Sequence, residues 1–250
     1  MEVLKEERQQ QILNRLYADG NIHVNDLAAA FQASKDTIRR DLTELEEQGI
    51  LRRVYGGAVP VKRPVLTIDG RKTIEKDEKY LVARKAVRYV RPESLIAVDG
   101  GTTNILFASL LPLSIKLRVV TNSFPAAEEL RKRPNVDVFF LGGHYSKGAQ
   151  TTVGETVFLQ LKDFYFDQCF LGAYGVDWKQ GVSIPYPYEN EAVVKKLLID
   201  NSAEVNIMCS CSKLDKVSNH IICPVEAADR IICEHPVARE IQMRYQNRIC

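Results

Sequence analysis

Beyond residue 73 the chain runs through short, mostly apolar segments separated by stretches of helical character. Residues 95–98, 117–120, 136–141, 168–171, 205–208 and 230–233 are such segments, rich in Val, Ile, Leu and Phe. Helices are expected over about 74–90, up to Leu110, from Ala126 to Arg133, from Asn190 to Asn201, and from near Pro236. Near-continuous apolar strands must be buried on both faces, and strands joined through helices pair in parallel. The expected fold class is therefore α/β, with a mainly parallel sheet covered on both sides.

The first sixty residues follow a different rule. Ile12, Leu13, Leu16 and Tyr17 fall at helical spacing, and Gly20-Asn21 stops that helix. A short extended piece at 22–24 precedes a second helix from Asn25-Asp26, with Leu27, Ala28 and Phe31 inward. Ser34 is a natural N-cap for a third helix reaching about Gln48 and closed by Gly49. Ile38, Leu42 and Leu45 form its inner face, while Asp36, Arg39, Arg40 and Thr43 project outward. Residues 50–59 then alternate around Arg52, Arg53 and a Gly56-Gly57 turn, which reads as a β-hairpin wing with basic flanks. A small head at 1–60, a linker at 61–73 and a large domain at 74–250 suit a chain of 250 residues.

Adjacent arginines on a capped helix suit a DNA groove, because a guanidinium grips guanine O6 and N7 or a phosphate. Ser34 and Thr37 carry hydroxyls that can reach phosphates. Bulk charge does not decide the matter. The chain carries +2, and residues 1–63 hold ten Lys/Arg against ten Asp/Glu. Spacing alone leaves a solvated face on a docking module open beside DNA binding.

No run of about 18 apolar residues exists, so no membrane span is expected, and the charged start does not read as a signal peptide. A cytoplasmic location with free thiols follows. Cys169, Cys223 and Cys233 read as core residues. Cys209-x-Cys211 lacks the neighbours a metal site needs, so no metal or cofactor is expected.

Two strand ends carry chemistry. Asp99-Gly100-Gly101-Thr102-Thr103 follows one strand and opens a helix; Thr121-Asn122-Ser123 does the same after the next. Glycines admit backbone N–H groups to an anion, hydroxyls add donors, and the helix start adds positive potential. Ligands of parallel sheets sit beyond the carboxyl ends of the strands. Each segment read singly is also an ordinary turn or cap.

The run Ser34-Lys35-Asp36-Thr37-Ile38-Arg39-Arg40-Asp41-Leu42, with Leu45-Glu46 and Arg53-Val54-Tyr55-Gly56-Gly57-Ala58, closely resembles the head of the DeoR family of bacterial regulators. Ala33 departs from the family's usual Val. The resemblance continues through Lys79-x-x-Val82-Ala83, Asp99 to Thr103, Val120 to Ser123, Leu141-Gly142-Gly143, Phe170 to Asp177, Glu191-x-x-x-Lys195 and Ser212-Lys213. It implies a winged helix-turn-helix whose third helix enters the major groove. Ser34, Thr37, Arg39 and Arg40 would contact DNA, with Lys35 beside them and Arg52 and Arg53 on the wing; Asp41 would orient an arginine or cap locally. It also implies a sensor domain similar to ribose-5-phosphate isomerase and the CoA transferases. There Gly101, Thr102, Thr103, Thr121, Asn122 and Ser123 would hold a phosphate, and Lys79 and Lys213 would neutralise it. Asp99, Glu191 and Lys195 would address sugar hydroxyls. One departure stands out: Ser210 occupies a position where the family commonly has Asp.

The expected function is a DNA-binding regulator, a repressor of a sugar catabolic operon, modulated by a phosphorylated sugar and acting as a homo-oligomer on palindromic DNA. Its partners are operator DNA and that small molecule, with no membrane and no catalytic residues. Three rivals remain at this stage. One is an isomerase using Asp99 or Glu191 as base. Another is a metal or redox sensor built on Cys209 and Cys211, and the third is an activator.

Overall fold

The computed structural model describes residues 5–19, 21–60 and 67–250. It divides into two compact units, 1–74 and 75–250.

The first unit carries helices α1 (Lys5–Asp19), α2 (Val24–Phe31) and α3 (Lys35–Glu47). Strands β1 (Ile22–His23), β2 (Leu51–Val54) and β3 (Gly57–Pro60) form a small antiparallel sheet in the order β1-β3-β2. The hairpin read from the sequence is thus joined by a third strand. Ile12, Leu16, Leu27, Ile38, Leu42, Leu45, Leu51 and Ala58 make one core, which seats all three helices against the sheet. Gly57 permits the β1–β3 contact: a Cβ there would stand 1.9 Å from the carbonyl oxygen of Ile22. Helix α4 (Ile68–Lys72), capped by the Thr67 hydroxyl, ends the unit's regular structure.

The second unit begins with α5 (Lys76–Ala86) and alternates thereafter: β4 (Leu95–Val98), α6 (Thr102–Leu110), β5 (Leu117–Thr121), α7 (Phe124–Leu130) and β6 (Val136–Phe140). A hairpin, β7 (His144–Ser146) and β8 (Thr151–Val153), leads to α8 (Glu155–Leu161) and β9 (Gln168–Gly172). Strands β10 (Gly175–Asp177) and β11 (Gly181–Ile184), helix α9 (Glu189–Asp200), and β12 (Val205–Met208) follow. The chain closes with β13 (His220–Cys223), β14 (Arg230–Ile232) and α10 (Arg239–Arg244).

Six strands form one sheet in the order β14-β12-β9-β4-β5-β6, every pairing parallel. In chain order this is 3-2-1-4-5-6 counted from β6, and the order reverses between β4 and β9. Ala97 of β4 lies between Val120 and Cys169. Helices α5, α6 and α7 cover one face through Val82, Ala83, Phe107, Ala108, Ala126 and Leu130, packed on Ile96, Val98, Val119 and Phe170. The alternate residues Ala97, Val120, Cys169, Leu171, Ile207 and Ile231 are equally buried, so the second face is covered as well. The α/β reading with a parallel sheet is what the structure shows.

The differences lie in small elements. The last helix starts at Arg239 instead of near Pro236. The chain must return to the sheet at once: Ile231 N–H donates to Arg248 O, and Cys250 N–H to Ile231 O, leaving room for six helical residues. The β7–β8 hairpin and the sheet β10-β11-β13 were not read from the sequence, since their strands hold only three or four residues. Among the described residues no helix is long and apolar enough to cross a membrane.

Candidate functional site

Helix α3 presents the row expected to meet DNA. The Ser34 hydroxyl accepts the Thr37 backbone N–H at 3.0 Å and sits 2.8 Å from the Thr37 hydroxyl, fixing the first turn. Ser34, Lys35, Arg39 and Arg40 are exposed. Arg39 is held by Asp36 across 3.0 Å, an i,i+3 pair in full contact with water. Such pairs contribute about 0–1 kcal/mol, so Arg39 can exchange Asp36 for another acceptor at little cost.

Asp41, Glu44 and Glu46 of α3 are turned elsewhere. Asp41 is buried and takes two hydrogen bonds from Arg8 of α1, at 2.6 and 3.2 Å. It therefore orients an arginine, and that arginine lies outside the reading helix. Glu44 accepts from Lys5 and Gln9, and the Lys5 bond first of all holds its carboxyl below the usual range. Glu46 accepts the backbone N–H of Arg53 at 2.7 Å. Three of the carboxylates of α3 thus face α1 and the wing, while Asp36 stays outward beside Arg39.

On the wing, the Arg53 guanidinium donates to the Thr43 hydroxyl, tying β2 to α3, whereas Arg52 is exposed. Tyr55 at the hairpin tip is fully exposed. The sequence reading missed it, although an aromatic in a Gly-Gly turn beside two arginines was a usable signal.

The second cluster lies at the carboxyl ends of β4, β9 and β12, around the point where strand order reverses. Asp99 directly follows β4, and the Lys195 ammonium of α9 bonds its carboxylate and also the carbonyl of Gly172 at the end of β9. Both side chains are buried, at 3% and 4% exposure. Lys213 donates to the next carbonyl, Ala173, at 2.8 Å. Asn104 of α6 ties the two central strands together by donating to Asp99 O at 2.9 Å and Phe170 O at 3.0 Å.

The Gly100-Gly101 turn lies beside these groups. A Cβ on Gly100 would come within 2.3 Å of the Thr151 methyl, and Gly101 has φ +135°, so both positions demand glycine. Thr102 and Thr103 open α6 and are buried. The neighbouring triplet is spent largely on its own loop. Thr121 Oγ1 accepts the Ser123 N–H, Ser123 Oγ caps α7, and the Asn122 amide donates to Thr152 O of the hairpin. Glu191 accepts from Ser146 at 3.4 Å, and Lys79 is buried on α5. Among the described residues Asn104 Oδ1, Asn122 Oδ1 and Thr151 Oγ1 are buried without a hydrogen-bond partner. Buried polar atoms are almost always paired, so orphans gathered at strand ends point to a polar molecule.

Two residues escaped the sequence reading here. Asn104 lies just past the Gly-Gly-Thr-Thr run, and its amide signalled nothing by itself. Glu75 lies at the start of the helix expected over about 74–90 and was given no role, yet its carboxylate accepts from Ser210 and Ser212.

The cysteines do not form the pair the spacing suggested. Cys209 Sγ lies 3.9 Å from Cys233 Sγ, each just past the end of the adjacent strands β12 and β14, whereas Cys211 Sγ turns to the carbonyl of His235. Among the described residues no group of three or more His, Cys, Asp or Glu is placed to hold a metal ion.

Residues 8–63 match the DeoR-like helix-turn-helix domain, and residues 74–235 match the DeoR C terminal sensor domain. The chain belongs to the DeoR family. Among DeoR-family relatives is a protein of Escherichia coli O157:H7 provisionally named an aga operon transcriptional repressor. It is 31% identical over 92% of this chain and 87% of its own length. The lactose phosphotransferase system repressor of Lactococcus lactis subsp. lactis is 29% identical, covering 94% of this chain and 92% of that one. Of solved structures, ribose 5 phosphate isomerase A from Neisseria gonorrhoeae is 19% identical with a TM-score of 0.41. That alignment spans only 57% of this chain and 55% of the isomerase. A DeoR-family chain is a transcriptional regulator, not an enzyme, and its DNA-binding head and sensor domain occupy the two compact units described above.

Proposed function

We propose that this regulator represses a sugar or sugar-derivative catabolic operon and that a phosphorylated sugar, bound at the strand ends of the large domain, sets its affinity for operator DNA. One observation carries the reading. A buried Asp99–Lys195 ion pair lies at the reversal of strand order, beside a Gly-Gly-Thr-Thr turn and three orphaned polar atoms. Doubly wound sheets place ligands at that point.

In this reading Gly101, Thr102 and Thr103 offer N–H and hydroxyl donors to the phosphate, with Asn122 supplying its unpartnered oxygen to a hydroxyl. Lys79 and Lys213 balance the charge, and Asp99, Glu191 and Lys195 meet sugar hydroxyls. Thr121 and Ser123 shape the loop, since their hydroxyls already serve it. In the head, Arg39 and Arg40 read or grip DNA in the major groove, Ser34, Lys35 and Thr37 position the helix, and Arg52, Arg53 and Tyr55 bring the wing to the backbone. A homo-oligomer in the cytoplasm supplies paired heads for a palindromic site. Coupling between the two sites amounts to about 1–3 kcal/mol.

The test is fluorescence anisotropy of the full chain on DNA from upstream of its own gene, with sugar phosphates and their unphosphorylated parents. Release by one phosphate ester and not by its parent supports the reading. Equal operator affinity across a broad panel removes the effector half.

A further inference from the structure

Glu75 is the first residue of the large unit and follows directly on the segment that leads from the head. It caps α5 with φ 48°, a left-handed conformation that costs a non-glycine residue about 1 kcal/mol or more. Its side chain offers a reason for that posture. Oε2 accepts from the Ser210 hydroxyl at 2.7 Å and Oε1 accepts from Ser212, both just beyond β12. Burial alone would favour the neutral acid. The two hydroxyls, together with the nearby Lys213 and Lys79, outweigh it and hold the carboxyl below its usual value.

Two hydroxyl donors and two ammonium groups form a set that would serve a phosphoryl group as well as a carboxylate. The cluster is also continuous with the strand-end site. Lys213 donates to Ala173 O, and Lys195 donates to the preceding carbonyl, Gly172. An anion arriving among these groups meets Glu75 as a like charge already holding the same hydroxyls.

We propose that Glu75 is an internal competitor for the effector's phosphate: the phosphate takes the Ser210 and Ser212 hydroxyls from the Glu75 carboxylate, beside the ammonium of Lys213, and the carboxylate withdraws. Displacement frees the residue at the start of the sensor unit, where the segment from the head enters. This rests on the effector reading above and adds the group that opposes binding.

Inorganic phosphate is the probe, titrated calorimetrically into the full chain, Glu75→Gln and Glu75→Asp, each checked for an intact thermal transition. The neutral variant should bind phosphate at least tenfold more tightly than the wild type. Glu75→Asp keeps the charge and should stay within about threefold, as expected if charge and not shape sets the competition. In the wild type, saturating phosphate should speed amide exchange across residues 75–80, which a purely structural cap would not do. Equal phosphate affinity in the wild type and Glu75→Gln overturns the proposal. If a sugar phosphate still releases the operator in that case, the effector reading survives without Glu75. Failure of both proteins to bind phosphate overturns the competition as well, and operator release is then judged separately by the sugar-phosphate panel.

Discussion

Lys195 and Asp99 meet as a buried ion pair at the reversal of strand order, with the Lys195 ammonium also capping the carbonyl of Gly172. Removing one member of a buried pair leaves an uncompensated charge and costs about 3–5 kcal/mol, whereas replacing both by uncharged groups is often near neutral. Lys195→Met and Asp99→Asn should therefore each lower the urea midpoint of the large domain strongly, and the double variant should recover much of the loss. All three should lose sugar-phosphate binding. Single variants costing under 1 kcal/mol would mean that water reaches the pair.

Much of this site was legible before the structure, and the reason is physical. A strand end followed by Gly-Gly-Thr-Thr is a local pattern, and the parallel sheet dictates which ends converge. Glu191 and Lys195 were named through the family resemblance alone. Glu75 and Asn104 were not legible because their roles come from partners 135 and 66 residues away, which no local period encodes. For Asp41 the role was expected from the resemblance, but its arginine, Arg8, is 33 residues earlier and was not identified. The short β7–β8 hairpin escaped because its strands are too brief to show alternation.

Arg39 is exposed and only loosely held by Asp36. If it makes a base contact in the major groove, Arg39→Ala should weaken operator binding by about 1–3 kcal/mol and relax specificity at one position. Arg52→Ala, a backbone contact from the wing, should weaken binding evenly across sequences and lower the salt slope by about one. Anisotropy over a salt series distinguishes the two. Neither change should alter sugar-phosphate affinity.

Gly57 has no room for a side chain, because a Cβ would overlap the Ile22 carbonyl. Gly57→Ala must separate β1 from β3, and the wing loses its anchor to the head. Amide exchange of residues 22–23 and 57–58 should quicken sharply, while the sensor unit's unfolding free energy stays within about 0.5 kcal/mol of wild type. Unchanged protection at Ile22 would show that the strands tolerate the contact.

The Glu75 carboxyl is held below its usual value, with burial opposing and the Ser210, Ser212, Lys213 and Lys79 contributions prevailing. A depressed folded-state value means that the ionised network stabilises fully above the unfolded value, near 4.3. That stabilisation is lost as pH falls through the lower folded value. The stability gap between wild type and Glu75→Gln should thus be constant from pH 6 to 8 and close below about pH 4. Urea midpoints across that range measure it, and a gap that widened in acid would contradict the network.

Thiol chemistry gives an independent check on the sensor core. Burial, above all, pushes the thiols of Cys169 and Cys223 up to about 12, and the adjoining Cys209 raises Cys233 further. The thiolate is the reactive species, and with a pKa near 12 only about one such thiol in ten thousand is ionised at pH 8. Cys211 is half-buried and also raised by burial, and Cys250 is half-buried at the end of the chain. Titration of the native protein with a disulfide reagent at pH 8 should therefore label Cys211 and Cys250 first. The other four should react only on the timescale of unfolding. Operator binding should survive the fast phase, because the head contains no cysteine. Rapid labelling of Cys209 or Cys233 accompanied by loss of operator binding would instead revive the redox sensor, with those two residues as its pair.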